Sequence, residues 1–260
     1  MTVRLDVALV SLGHFKTRNK SQEAIKKGSI KCDGKVQTKC NFPVSESTNI
    51  EVLEVLKYVS RAGLKLEKAI EVFNLNLVNK IMLDIGSSTG GFTDCAIQKG
   101  VKLVIAVDVG SDVMDRELRK NPKIKLFEQT DIREMDLNLL TNVQIATIDI
   151  SFISVTKILP VLSNLENLKE IVLLIKPQFE CGKQIADKYK GIILNKTIHK
   201  DIINNIIKEF SNISFYCQGV SPSPIKGGSG NIEYVSYFKK DASPKLINIQ
   251  NVINKAFENN

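Results

Sequence analysis

The sequence predicts an α/β protein: a Rossmann-like, mostly parallel, seven-stranded sheet with a small α+β module in front of it. Three observations carry this. Strand-like and helix-like segments alternate from residue 60 onward. A glycine-rich turn, DIGSSTGGFT (84–93), directly follows one strand-like run and opens a helix-like one. The first 59 residues are patterned differently, and within them the stretch between His14 and Cys40 carries a net charge of +6, eight basic residues less two acids. The expected division is therefore 1–59 and 60–260.

In the first segment Leu5, Ala8, Leu9 and Leu12 follow the i, i+3, i+4, i+7 spacing of an amphipathic helix, which Gly13 ends. A second helix starts at Thr17, an N-cap type of residue, and runs to Gly28. SIKC (29–32) and KVQT (35–38) flank Asp33-Gly34, a dipeptide suited to the positive φ angles of a type I′ hairpin turn. In the second segment the expected strands are 81–86, 103–109, 123–129, 144–150, 170–176, 213–220 and 231–238. The helices between them are expected over 89–99, 111–120, 154–165 and 194–210, with a last one within 241–260. The final two strands, joined through SPSPIKGGSG (221–230), read as an antiparallel pair.

Composition bounds the function. Of 260 residues, 43% are hydrophobic and 25% charged, enough for a sizeable core and too apolar for a disordered chain. The net charge of +8 favours a polyanionic partner, nucleic acid or an anionic membrane surface. The five cysteines are odd in number and form no CxxC pair, which argues against a disulfide framework and against a zinc site. They read as thiols of a reducing cytosol, and no apolar leader follows Met1, so a cytoplasmic location is expected. The longest apolar runs, such as IVLLI (171–175), are strand-sized, and no stable membrane association is expected.

Between His14 and Cys40, eight basic residues face only Glu23 and Asp33. Lys16, Arg18, Lys20, Lys27 and Lys35 are placed on a helix–hairpin unit that could track a phosphate backbone, although a solvated lysine-rich surface reads the same way from charge alone. In the glycine-rich turn, Gly86, Ser88, Thr89, Gly90, Gly91, Phe92 and Thr93 let a ligand approach the backbone at a helix N-terminus. Asp84 inside the motif suits a positively charged amino acid better than a pyrophosphate, and the spacing departs from GxGxxG. Asp108, followed by Val109, ends the second strand where a carboxylate can accept ribose hydroxyls. Asp131, followed by Ile132, comes after the third strand and could receive an adenine amino group. Loop, ribose acid and adenine acid in that order fit S-adenosylmethionine. The candidates for acid–base work are Asp149, Lys176 and Glu233 at strand ends, and Lys65 on a helix before the first strand.

The stretch RLDVALVSLGHFKTRNKSQEAIKKGSIKCDGKVQTK resembles the S-four RNA-binding module, which adds Arg4 to the RNA-contacting candidates. SRAGLKL, LDIGSSTGGFTD, AVDVG, TIDISFIS, LIKPQFE and GNIEYVSYF resemble the TlyA family, whose members also carry the name hemolysin, and the related RrmJ/FtsJ-type ribose 2′-O-methyltransferases. The resemblance implies a class I methyltransferase fold and a Lys65–Asp149–Lys176–Glu233 tetrad in which Lys176 accepts the 2′-hydroxyl proton. It implies ribosomal RNA or ribosomal subunits as partner, with cytidine riboses as targets. Two other readings compete. A membrane-acting hemolysin would need a strongly amphipathic surface helix, for which 245–257 is the one candidate stretch. A non-catalytic ribosome-assembly protein would not need all four tetrad residues. Enzymes that methylate exocyclic amines often carry an Asn/Asp-Pro-Pro-aromatic loop, where this chain has Asp149-Ile150-Ser151-Phe152.

Overall fold

The structure is a computed structural model that describes residues 2–26, 28–53 and 57–258. It divides into two compact units, Met1–Leu56 and Lys57–Asn260.

In the first unit β1 (Val3–Arg4) is followed by α1 (Leu5–Ser11), α2 (Arg18–Lys26), β2 (Ile30–Cys32), β3 (Lys35–Val36), β4 (Pro43–Val44) and β5 (Ile50–Val52). β1 pairs with β4, and β2 is the central strand between β3 and β5. The apolar faces of both helices supply the core, with Leu5, Leu9, Ala24, Ile25, Ile30 and Val44 buried. Asp33 (φ +49°) and Gly34 (φ +74°) make the tight turn that their sequence demands.

The second unit runs α3 (Ala62–Phe73), β6 (Ile81–Ile85), α4 (Gly91–Gln98), β7 (Leu103–Val107), α5 (Arg116–Arg119), β8 (Ile124–Phe127), β9 (Ile145–Ile148), α6 (Leu159–Ser163), β10 (Glu170–Ile175), α7 (Pro177–Glu180), α8 (Lys183–Lys188), α9 (Lys196–Ser211), β11 (Phe215–Pro222), β12 (Tyr234–Lys240) and α10 (Ile249–Glu258). Among the described residues, seven strands form one sheet in the order β11-β12-β10-β9-β6-β7-β8. Every neighbouring pair is parallel except those made by β12, which runs against both β10 and β11. Alternate residues of the strands feed opposite layers, as a sheet covered on both faces requires. Ile85, Val107, Ile148, Leu173 and Tyr234 face the layer holding α6, α9 and α10. Met82, Ala106, Ile145, Val172 and Val235 face α3 and α4. The chain winds outward from β6 through β7 to β8, then returns to β9 on the other side of β6. That reversal opens a crevice at the carboxyl ends of the strands.

Three departures from the expected elements have a clear physical cause. The helix expected over 111–120 shrinks to one turn, because the Glu128 carboxylate accepts the N–H groups of Asp112, Val113 and Met114 and holds them as a loop. Asp115 then caps the turn that follows. The last strand begins at Tyr234 rather than 231, since the Asn231 side chain is drawn off to bond Ile193 N–H and the Gly191 carbonyl. Tyr58 and Val59, expected in the first unit, belong to the second: the Tyr58 ring lies against Gly63, and Val59 N–H donates to Asp94 at 2.8 Å. No helix of the described residues is long and apolar enough to cross a membrane.

Candidate active site

The crevice beside β6 is a cavity of ≈ 460 Å³ with apolar walls and an acidic rim. Ile85, Ile132 and Ile150 supply apolar wall, and Asp108, Val109 and Asp131 stand around it. The turn after β6 needs its glycine: Gly86 has φ +79°, and a Cβ there would sit 2.6 Å from the Asp149 carbonyl oxygen. Asp108 is fixed by two backbone donors, Ser88 N–H at 2.8 Å and Gly110 N–H at 2.7 Å. Arg133 Nε lies 2.9 Å from Asp131, and this guanidinium holds the Asp131 carboxyl below its ordinary range. A smaller cavity of ≈ 160 Å³ continues past Ser88, Thr89, Gly91 and Phe92 to Lys176.

Three residues of the glycine-rich motif do not reach either cavity. Asp84 is fully enclosed, with Thr93 Oγ1 donating at 2.6 Å and Thr147 Oγ1 at 2.8 Å. Burial pushes its carboxyl up to about 6. Asp84 and Thr93 thus brace the loop from beneath rather than line it, because Asp84 shares with Met82 the face of β6 that α3 and α4 cover. Gly90 (φ +92°) is the left-handed entry to α4 and lies against Leu118.

Four chain segments bring the acid–base candidates together. Lys65 comes from α3, Asp149 follows β9, Lys176 follows β10 and Glu233 precedes β12. The antiparallel register, with Ile175 opposite Tyr234, makes Lys176 and Glu233 the next opposed positions. Lys65 Nζ lies 2.7 Å from Glu233 Oε2, and Lys176 Nζ lies 2.6 Å from Asp149 Oδ1. Lys176 also donates to Ser151 Oγ at 2.9 Å, and Gln178 Nε2 donates to Glu233 Oε1 at 3.2 Å. Two cations and two anions balance in a site where Lys65, Lys176 and Glu233 are all buried. They open on a groove of ≈ 750 Å³. Asp149 and Ser151 border this groove and both other cavities, so the three are continuous.

Ser151, Gln178, Phe152 and Phe179 escaped the sequence reading. Phe152 is 88% exposed at φ +68°, its ring centroid 5.1 Å from that of Phe179. An exposed aromatic two residues after a strand end was the available signal, but surface aromatics alone carry little information.

Of the basic candidates in the first unit, Lys16, Lys20 and Lys35 are exposed. Lys27 lies outside the described residues. Arg4 and Arg18 converge on the buried Asp6, with Nε atoms 3.0 and 2.9 Å from its two oxygens. Gln22 Nε2 adds a third donor at 2.6 Å. The Arg4 guanidinium foremost holds Asp6 far below the usual carboxylate range.

Residues 58–240 match the FtsJ-like methyltransferase model, and residues 3–50 match the S4 domain model. The chain belongs to the FtsJ-like methyltransferase family. Its S4 domain coincides with the basic first unit. Among similar proteins, Hemolysin A of Brachyspira hyodysenteriae is 40% identical over 91% of this chain and 99% of its own length. The 16S/23S rRNA (cytidine-2′-O)-methyltransferase TlyA of Mycobacterium tuberculosis is 32% identical over 94% of this chain and 92% of its own. A solved candidate hemolysin from Streptococcus thermophilus superposes with a TM-score of 0.74 at 36% identity, covering 99% of this chain and 96% of that one. All of the crevice and tetrad residues fall inside the FtsJ-like segment.

Proposed function

We propose that this FtsJ-like methyltransferase moves a methyl group from S-adenosylmethionine to a ribose 2′-hydroxyl of ribosomal RNA, on cytidine, and acts on ribosomal subunits in the cytoplasm. The observation that carries the reading is the continuity of the glycine-loop crevice with a groove where Lys65, Asp149, Lys176 and Glu233 meet. The name of the Mycobacterium tuberculosis relative supports the ribose and the RNA. The residues present suit the cofactor: Ile132 and Ile150 offer a base apolar contact, and each Asp108 oxygen keeps a lone pair for a ribose hydroxyl. S-adenosylmethionine supplies a methyl group made electrophilic by its sulfonium.

The chain's own residues do the rest. Lys176 is placed to accept the proton of the 2′-hydroxyl, and bound S-adenosylmethionine would supply the methyl group. Asp149, 2.6 Å from its Nζ, and Ser151, at 2.9 Å, fix the direction of the Lys176 side chain. Lys65, held by Glu233, donates to the hydroxyl and orients it.

The relative named Hemolysin A supports a second reading, action on membranes. Against it, the stretch expected to carry an amphipathic surface helix packs its apolar side inward, with Ile249, Ile253 and Ala256 buried. Incubating the purified chain with methyl-labelled S-adenosylmethionine and unmodified ribosomal subunits, beside Lys176→Ala, tests the first reading. Label on a cytidine ribose from the wild type alone is the expected result. Absence of transfer to either subunit, with leakage from liposomes, would replace it with the second.

A further inference from the structure

A second concave site also borders Glu233. It has a volume of ≈ 420 Å³ and is bordered by Lys68 of α3, Lys226 of the β11–β12 connection and Lys255 of α10. The three lysines come from segments far apart in sequence, so their meeting at one hollow is a product of the fold and not of a lysine-rich run. None of the three pairs with a carboxylate among the described residues. The one acid on the wall, Glu233, is already satisfied by Lys65 at 2.7 Å and Gln178 at 3.2 Å. Three like charges around one hollow repel each other, and an anion seated among them removes that cost.

The rest of the wall says which anion. Pro222 and Pro224 remove two backbone N–H donors, so the loop offers no amide nest of the kind that wraps a nucleotide's phosphates. The Ser223 hydroxyl is turned onto its own loop, donating to the Ile225 carbonyl at 2.7 Å. Recognition is left to flexible ammonium groups, which read charge rather than geometry, as contacts to a nucleic-acid backbone do. The site is also contiguous with the groove: Ile225, Lys226 and Glu233 border both. We propose that this hollow seats a backbone phosphate of the RNA strand whose ribose lies at the tetrad, so that the methyltransferase unit holds its substrate at the hollow as well as at the tetrad. The assignment rests on the RNA reading above.

Two measurements on the full chain test it. In the first, lysine acylation is mapped by mass spectrometry with no addition, with ribosomal subunits and with inorganic phosphate. Subunits should protect Lys68, Lys226 and Lys255 at least several-fold, while Lys102, at the opposite end of the sheet ahead of β7, stays reactive. Protection by inorganic phosphate at low millimolar concentration, equal to that by subunits, would make the hollow a free-phosphate site and overturn the proposal. Unchanged acylation with subunits would also overturn it. In the second, RNA affinity is measured against salt for wild type, Lys68→Gln/Lys255→Gln and Lys102→Gln. The double variant should bind more weakly and lose about 1 from the slope of log K against log salt, one phosphate contact. Lys102→Gln should match the wild type. An unaltered slope in the double variant, with its melting curve intact, counts against the site. Neither measurement depends on methyl transfer, so failure of the catalytic reading would show separately, as bound RNA that is never labelled.

Discussion

Lys65 and Glu233 stand 168 residues apart in sequence, yet their charged atoms meet at 2.7 Å in a site almost closed to water. The Lys65 side chain is 9% exposed and that of Glu233 is 3% exposed. Removing one member leaves the other charge buried without its partner, at a cost of about 3–5 kcal/mol, whereas removing both leaves none. Lys65→Met and Glu233→Leu should each lower the urea midpoint strongly, and the double variant should recover a good part of the loss. Single variants as stable as wild type would mean that water reaches the pair.

Lys176 has a different task. Replacement by Ala should lower kcat by about 10²–10⁴-fold, the usual worth of a positioned proton acceptor. Arginine should not restore activity, because a guanidinium stays protonated and cannot take the hydroxyl proton. Single-turnover methyl transfer on ribosomal subunits measures this, and an active Lys176→Arg enzyme would move the proton acceptor elsewhere.

Asp84 predicts a pH signature. Its folded carboxyl titrates at about 6 because it is buried, against about 3.9 in an unfolded chain. The folded state therefore holds the proton more tightly, and the wild type loses stability as pH rises from 4 to 6. Asp84→Asn carries no such titration. Its unfolding free energy relative to wild type should rise by about 3 kcal/mol across that window and stay level above it. Urea denaturation from pH 4 to 7 reads the difference directly, and a flat difference would place the titration elsewhere.

Phe152 joins strain to exposure. A side chain at positive φ costs on the order of 1 kcal/mol, and this ring is largely exposed beside that of Phe179. Phe152→Gly should therefore melt slightly higher than wild type. It should also raise KM for RNA, since the ring faces the groove where a base could stack, an interaction worth about 1–3 kcal/mol. Higher stability with unchanged RNA kinetics would leave the strain unexplained.

The sequence made the sheet readable because each strand is short, apolar and bounded by turn residues, and because both faces of the sheet are covered. The order of acids at Asp108, Asp131 and Asp149 was readable for the same reason: each follows a strand end, and strand ends in such a sheet share one edge. Asp84 shows the limit. It sits in the right motif, but a position's side of the strand, not its place in the motif, decides whether it meets ligand or core. Phe152 and Gln178 were invisible because their neighbours come from other segments. Asp6 was missed because a helix-borne acid reads as solvated until the fold brings Arg4, Arg18 and Gln22 around it.

The reversed strand β12 also sets the geometry of the tetrad. It slots between β10 and β11, and its register alone brings Glu233 opposite Lys176. A slip of one residue would turn Tyr234 and Phe238 out of one layer and Val235 and Tyr237 out of the other. Lys65, Asp149 and Lys176 lie on or next to α3, β9 and β10, and the fourth charge comes only with the strand that runs against them. A change confined to the β11–β12 hairpin should therefore reach the tetrad while leaving the glycine loop, carried by β6 and α4, in place.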